Sequence, residues 1–121
     1  MTLNRLDSAY RKSHYRIPGH YDFRIGGPAH GVRGVIITAW NPHSGQMSPW
    51  KNHHRQCHLT KSLHRMGYQF SRAWCGVDDW WEESLLVHDM DTSAAYQMAR
   101  QFEQHAFVFL DARRVWLIYL R

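Results

Sequence analysis

The chain has 121 residues, of which 44% are hydrophobic and 21% charged. This length and composition predict one folded domain spanning residues 1–121, and the hydrophobic content excludes an intrinsically disordered chain. Six Trp, six Tyr and five Phe are a heavy aromatic load for this length, so we expect some rings to lie at a surface groove.

Fifteen Lys and Arg against ten Asp and Glu give a net charge of +5. This balance permits an anionic partner such as a nucleotide, a nucleic acid or a lipid head group. It does not require one, because the basic residues are scattered and no block of about five or six like charges occurs.

The two cysteines, Cys57 and Cys75, have no metal-binding or redox spacing, which predicts a reducing compartment without disulfides. No apolar run approaches the ~20 residues of a membrane span, and the N-terminal residues lack the apolar core of a signal peptide. We therefore expect a cytoplasmic protein that does not associate with a membrane.

Strand and helix patterns alternate along the chain. The predicted strands are Tyr21–Ile25, Val35–Trp40, Tyr68–Val77, Glu83–Asp89, Ala106–Leu110 and Val115–Leu120. Three helices are predicted. The first is short, has Leu3, Leu6 and Tyr10 on one face and ends near His14, and the second runs from Ser48 to Met66. The third is capped by Asp91 or Thr92, and its core-facing residues are Ala95, Met98, Ala99 and Phe102. Together they predict an α/β fold with a mixed central sheet of five or six strands, two crossover helices and a short N-terminal helix.

The second helix has the clearest boundaries, with Ser48 as N-cap, Pro49 at the first helical position and Gly67 after its end. Its apolar stripe is formed by Leu59, Leu63 and Met66. Toward the N-terminus the same stripe becomes polar, with Gln56 and Asn52 on it and Arg55 beside it. Either these polar residues serve a ligand site at the strand ends, or the helix overhangs the sheet and they are solvated.

The topology predicts that polar residues converge. Each strand–helix–strand unit should join parallel strands by a right-handed crossover, and the tight turn at Asp78–Trp81 should make the next strand antiparallel. One edge of the sheet would then collect the end of Val35–Trp40 and the start of the second helix, where α/β proteins bind ligands. The residues expected at this edge are Trp40, Asn41, Ser48, Asn52, Arg55, Glu82, Glu83, Gln104 and His105.

Acidic residues at this edge are the candidates for chemistry. Glu82 and Glu83, with Asp78 and Asp79 nearby, could supply a general acid or base or a Mg²⁺ site. The alternative is an acidic turn that balances basic residues. Arg55 near the helix N-terminus could hold an anionic or carbonyl group, or form an internal salt bridge with Glu82 or Glu83.

Histidines crowd the second helix. His54 and His58 are four residues apart, a spacing at which two helical side chains can bind the same transition-metal ion. His43, His53, Cys57 and His64 lie nearby in the sequence. No Glu completes a metalloprotease pattern, and His-rich helical surfaces often bind metal only adventitiously. We therefore predict no physiological metal site, and the sequence identifies no cofactor.

Four blocks carry a family resemblance. They are T-A-W-N-P-H-S at Thr38–Ser44, Ser48 and Asn52 opening the second helix, E-E-S-L-L-V at Glu82–Val87, and A-x-x-M-A-x-x-F-x-Q-x-A at Ala95–Ala106. Over about Tyr15 to Leu110 the chain resembles domain-of-unknown-function family 3293, whose members are typically short cytoplasmic bacterial proteins without an established activity. Members often have Glu where this chain has Lys51. The resemblance implies that the family pattern includes Thr38, Asn41, Pro42, Asn52, Glu83, Ser84 and Gln104.

Two functions are consistent with these patterns. The first is an α/β protein that binds, and could act on, a polar or anionic nucleotide-like small molecule at the carboxyl edge of the sheet. Its candidate catalytic residues are Glu82 and Glu83, and its candidate ligand-binding residues are Thr38, Trp40, Asn41, Pro42, Ser48, Asn52, Arg55, Trp81 and Gln104. The second is a basic module that binds nucleic acid or protein through its positive charge and exposed aromatic rings. The sequence indicates neither a particular reaction nor an oligomeric state.

Overall fold

The computed structural model describes the backbone of residues 3–120 and the side chains of residues 5–120. In chain order, its elements are α1 (Leu3–Lys12), β1 (His14–Ile17), β2 (Tyr21–Phe23), β3 (Arg33–Ile37), α2 (Pro49–Arg65), β4 (Phe70–Val77), β5 (Trp80–His88), α3 (Thr92–Gln101), β6 (Ala106–Asp111) and β7 (Val115–Tyr119), with a short 3₁₀ turn at Pro42–Ser44 between β3 and α2.

The seven described strands form a sheet in the order β2-β1-β4-β5-β3-β6-β7, and every neighbouring pair is antiparallel. The mixture of helices and strands was predicted correctly. The mixed sheet of five or six strands was not, because β5 returns between β3 and β4. Each crossover helix therefore joins two strands that run in the same direction but are separated by a third strand.

Two local features also differ from the sequence prediction. The four-residue strand β1 was missed, and it pairs with both β2 and β4. The turn between β4 and β5 contains only Asp78 and Asp79, with Asp78 at a φ of 54°. Glu82 is therefore a strand residue rather than a turn residue.

Helices α2 and α3 cover one face of the sheet. Their boundaries agree with the prediction: the Ser48 side chain caps α2 by accepting a hydrogen bond from the Lys51 backbone N–H (3.2 Å), and Asp91 caps α3. This core contains the predicted inward residues Leu59, Leu63, Ala95, Met98, Ala99 and Phe102. Met66 was also predicted to face inward, but it is exposed because α2 ends at Arg65.

The other face of the sheet carries a second apolar cluster, which includes Tyr15, Ile36, Ala73, Leu86 and Val108. Helix α1 packs over this face beside β4. Leu6 and Tyr10, predicted to share one face of this helix, both line the space between α1 and the sheet, whereas the side chain of Leu3 lies outside the described residues. None of the helices in the described residues combines the length and hydropathy needed to cross a bilayer.

Candidate functional site

The loop that follows β3 is anchored to the start of α2 by a pair of asparagines. Asn41 has φ 48° and ψ 66°, a left-handed conformation that Asn tolerates better than most residues. Its backbone N–H donates to Asn52 Oδ1 (2.8 Å), and its own Oδ1 accepts from Asn52 Nδ2 and from the Met47 backbone N–H (both 2.9 Å). Both asparagines are buried. The polar half of the α2 stripe is therefore not solvated: it holds this loop.

The side-chain NH₂ group of Asn41 orients a carboxyl group. Asn41 Nδ2 donates to Glu82 Oε2 at 2.6 Å. Burial raises the pKa of the Glu82 carboxyl above its ordinary value, and the hydrogen bond from Asn41 opposes this shift only in part. The structure thus brings together Asn41, Asn52 and Glu82, which are far apart in the sequence.

Of these three residues, Asn41 and Glu82 line a cavity beneath α1 that has a volume of about 230 Å³. We call it the α1 cavity. Its walls are largely apolar and come from α1 and the strands beneath it, including Leu6, Ala9, Ile36, Val108 and Leu117. The lining residues with polar side-chain groups are Tyr10, Ser13, Tyr15, Thr38, Asn41, Ser44, Cys75, Trp80, Glu82, Ser84 and Gln104. Among the described lining residues there is no Lys, Arg or His.

The hydroxyl and thiol groups of the cavity are uncharged at neutral pH. Burial raises the pKa of Tyr10 to about 12, and the neighbouring Ser44 side chain opposes this shift only in part. Burial likewise raises the pKa of Cys75, which contacts Ser84, to about 12. Glu82 is therefore the lining group best suited to exchange a proton with a ligand or to pair with a cation.

Glu83 does not join this site, although it was expected to act with Glu82. Consecutive strand residues point to opposite faces of a sheet, and Glu83 forms an ion pair with Arg72 on the other face. Trp40 also lies away from the cavity and packs edge-on against Trp74, with ring centroids 6.3 Å apart. Neither Glu83 nor Trp40 lines the α1 cavity with Glu82.

Arg55 holds backbone groups together. Its Nε donates to the carbonyl oxygen of Ala39 (2.7 Å), and its Nη2 donates to that of Phe102 (2.6 Å). It also approaches Glu103 at 3.5 Å. Of the two roles considered for Arg55, the salt bridge with Glu82 or Glu83 is not formed. Its contacts instead join the end of β3 to the end of α3.

The other candidate residues divide into two groups. Thr38 and Gln104 line the cavity while bonding to the backbone, since Thr38 Oγ1 donates to the Glu83 carbonyl oxygen (2.6 Å) and Gln104 Nε2 to that of Trp40 (3.0 Å). Ser48 caps α2, and Pro42 begins the 3₁₀ turn. The Trp81 ring lies under the Arg16 guanidinium, 4.9 Å from the ring centroid.

The cavity also contains residues that were not selected from the sequence, chiefly Tyr10, Ser44, Cys75 and Ser84. One signal was available for Ser84, because it lies two residues after Glu82 and therefore shares its face of the strand. No local signal connects Tyr10 with the strands, since α1 reaches them only through the tertiary fold.

A second cleft, of about 430 Å³, lies toward the other end of β5 and is lined by residues such as His20, Arg33, His88 and Asp89. It contains none of the candidate residues. Within the described part of the chain, no three His, Cys, Asp or Glu side chains are grouped closely enough to hold a metal ion.

These features define a small protein of mixed α/β class, with helices on both faces of an antiparallel sheet and a cavity under the N-terminal helix. The sequence profile described as "Protein of unknown function (DUF3293)" matches residues 37–107, and the chain belongs to this family. The matched segment includes Asn41, Asn52 and Glu82. No curated protein and no solved structure matches the chain.

Proposed function

We propose that the protein binds a small molecule in the α1 cavity, and that this molecule has an apolar body and one uncharged or positively charged head group. The observation that carries the proposal is the Glu82 carboxyl, which accepts a hydrogen bond from Asn41 and lines a cavity whose walls are largely apolar. Apolar walls with a few convergent polar groups are typical of small-molecule sites.

The size of the cavity supports a compact ligand. A dry apolar cavity of about 150 Å³ accommodates benzene in another protein. The volume here, about 230 Å³, therefore leaves room for a six-membered ring and a short polar substituent. A whole nucleotide would extend well beyond it.

The charge of the cavity lining determines which charge the head group of the ligand can carry. A phosphate would have to approach Glu82 without a cationic partner among the described lining residues, which is unfavourable at low dielectric. An ammonium group would instead form an ion pair with Glu82, and a neutral hydroxyl or amide could exchange hydrogen bonds with Glu82 and Tyr10. We therefore replace the nucleotide-like ligand expected from the sequence by an uncharged or cationic one.

Three probes of similar size and different charge test this proposal: benzylamine, benzyl alcohol and benzoate, with a nucleoside monophosphate as a larger anion. Binding is measured from chemical-shift changes of the ¹⁵N-labelled protein. We expect benzylamine and benzyl alcohol to perturb amides of α1 and of Thr38–Ser44, and the anions to bind much more weakly. Selective binding of the anions at these amides would contradict the proposal.

A matched pair of substitutions localises the binding. Glu82→Gln should weaken benzylamine about tenfold or more while changing benzyl alcohol little, because an ion pair is lost but a hydrogen-bonding group is kept. Glu83→Gln makes the same chemical change on the opposite face and should leave both probes unaffected. Equal effects of the two variants would place the amine outside the α1 cavity.

A cytoplasmic location remains part of this proposal, supported by the free thiols of Cys57 and Cys75. A second function, nucleic-acid binding, is favoured by a different feature, the outer face of α2, which does not involve the α1 cavity.

A further inference from the structure

The exposed side of α2 has an unusual composition. The helix contains no Asp or Glu, and its buried stripe is Asn52, Gln56, Leu59 and Leu63. The side chains on the opposite side, which we call the α2 outer face, are all exposed: Trp50, Lys51, His53, His54, Cys57, His58, Lys61, His64 and Arg65. Every permanent charge on this face is therefore positive.

These charges are not neutralised by neighbours. Lys51, Lys61 and Arg65 form no ion pair with any described residue. Glu103, which pairs with Arg55 of α2, is also engaged by His43. The positive potential of the α2 outer face is thus available to an external partner.

An aromatic platform lies at the first turn of the same face. The Trp50 side chain is 72% exposed, and its ring lies nearly parallel to that of His54, with an interplanar angle of 8° and centroids 5.7 Å apart. One side of the indole is thus supported by His54. A flat ring that is held in place and open on its other side is suited to stacking on a nucleic-acid base.

The spacing of the cations favours an extended partner over a compact anion. At 1.5 Å per helical residue, Lys61 and Arg65 lie about 15 and 21 Å along the helix from Lys51. A single phosphate or carboxylate cannot contact positions so far apart. A strand of linked phosphates can, while presenting a base to Trp50.

We propose that the α2 outer face binds single-stranded nucleic acid, with Trp50 stacking on a base and Lys51, Lys61 and Arg65 contacting phosphates. An anionic membrane is the less favourable partner, because Trp50 is the only large apolar side chain on this face and would bury little area in a bilayer. This inference is independent of small-molecule binding in the α1 cavity.

The test is fluorescence anisotropy of a labelled oligothymidylate of about 12 nucleotides, titrated with the full chain over a range of salt concentrations. We expect binding at low salt that weakens as salt increases. The variant K51Q/K61Q should lower the slope of log affinity against log salt by about 1.4, the value for two phosphate contacts on a single strand. Trp50→Ala should weaken binding roughly tenfold or more by removing the stacked ring.

The matched control is R113Q/R114Q, which removes the same net charge from two exposed residues in the turn between β6 and β7. It should leave the affinity nearly unchanged. The proposal is overturned if R113Q/R114Q weakens binding as much as K51Q/K61Q, because binding would then follow net charge alone. It is also overturned if Trp50→Ala has no effect, or if anionic vesicles bind the protein and the oligonucleotide does not.

Discussion

Glu82 and Glu83 are consecutive residues whose carboxylates lie on opposite faces of the sheet. Glu82 accepts a hydrogen bond from Asn41 at the α1 cavity, whereas Glu83 forms an ion pair with Arg72 on the face that carries α2 and α3. This separation follows from their position inside β5, where side chains alternate. Identical substitutions at the two positions therefore report on two different environments.

Glu82→Gln should make the folded protein more stable at neutral pH. Because burial raises the folded-state pKa of Glu82 above its ordinary value of 4.5, the favourable contribution of the protonated carboxyl is fully present below about that pH. It is lost as pH rises through the raised pKa. Gln is uncharged at every pH and can still accept the hydrogen bond from Asn41, so the stability difference between variant and wild type should grow from acid to neutral pH in urea denaturation.

Glu83→Gln is the control for this pH series. It breaks an ion pair between the Arg72 side chain, which is 66% exposed, and the Glu83 side chain, which is 13% exposed. We therefore expect a loss of about 1–2 kcal/mol and no gain at neutral pH. A pH dependence of Glu82→Gln that parallels that of Glu83→Gln would show that the environment of Glu82 is not special.

Two substitutions of Asn41 should distinguish the stability contributed by its side-chain hydrogen bonds from the cost of its left-handed backbone conformation. Asn41→Gly removes the side-chain hydrogen bonds to Asn52, Met47 and Glu82 but keeps the backbone N–H bond to Asn52. Buried groups are left unpaired, so we expect a loss of about 2–4 kcal/mol in the free energy of unfolding. Asn41→Ala removes the same bonds and also places a Cβ at a φ of 48°, which should cost about 1 kcal/mol more. Equal stabilities of the two variants in urea denaturation would mean that the loop relaxes out of its left-handed conformation.

The elements that could be predicted from the sequence are those with local causes. Ser48 and Pro49 set the start of α2, and the 3.6-residue spacing of Ala95, Met98 and Phe102 marked the inner face of α3. The order of the strands has no local cause, since the insertion of β5 between β3 and β4 depends on pairings that form only in the folded chain. Strand β1 was missed because four residues are too few to show a periodicity.

The candidate site was accessible to sequence reasoning only in part. Asn41 and Asn52 could be placed together because one follows a strand and the other begins the next helix. To decide whether Glu82 or Glu83 faces the site, one must know where β5 begins. The sequence pattern predicted its start at Glu83, three residues after its actual start at Trp80. The place of Tyr10 in the cavity lining could not be foreseen, because the position of α1 over the sheet is set by tertiary contacts.

Arg55→Lys should destabilise the protein although the charge is kept. The guanidinium of Arg55 reaches the carbonyl oxygens of Ala39 and Phe102 at the same time, a forked geometry that a single ammonium group cannot reproduce. We expect a loss of about 1–3 kcal/mol in urea denaturation at pH 7. Arg72→Lys, at a mostly exposed position, is the matched control and should change stability by less than about 1 kcal/mol. Similar values for the two variants would mean that the contacts of Arg55 add nothing beyond its charge.

The attachment of α1 over the cavity should depend on Tyr119. Its hydroxyl donates a hydrogen bond to Asp7, which also accepts one from Arg11 (3.0 Å). These bonds hold the pKa of Asp7 below its ordinary value of 3.8, so their contribution is present above about that pH and is lost as pH falls through the lowered pKa. We expect Tyr119→Phe to accelerate hydrogen exchange of α1 amides several-fold at pH 7, with the difference from wild type fading in acid.

Tyr96→Phe, which removes a long contact to the Tyr119 carbonyl oxygen (3.5 Å), should leave α1 protected. If both variants exchange alike, the packing of Tyr10 against Tyr119 (6.1 Å between ring centroids), rather than the hydrogen bond to Asp7, keeps α1 over the cavity.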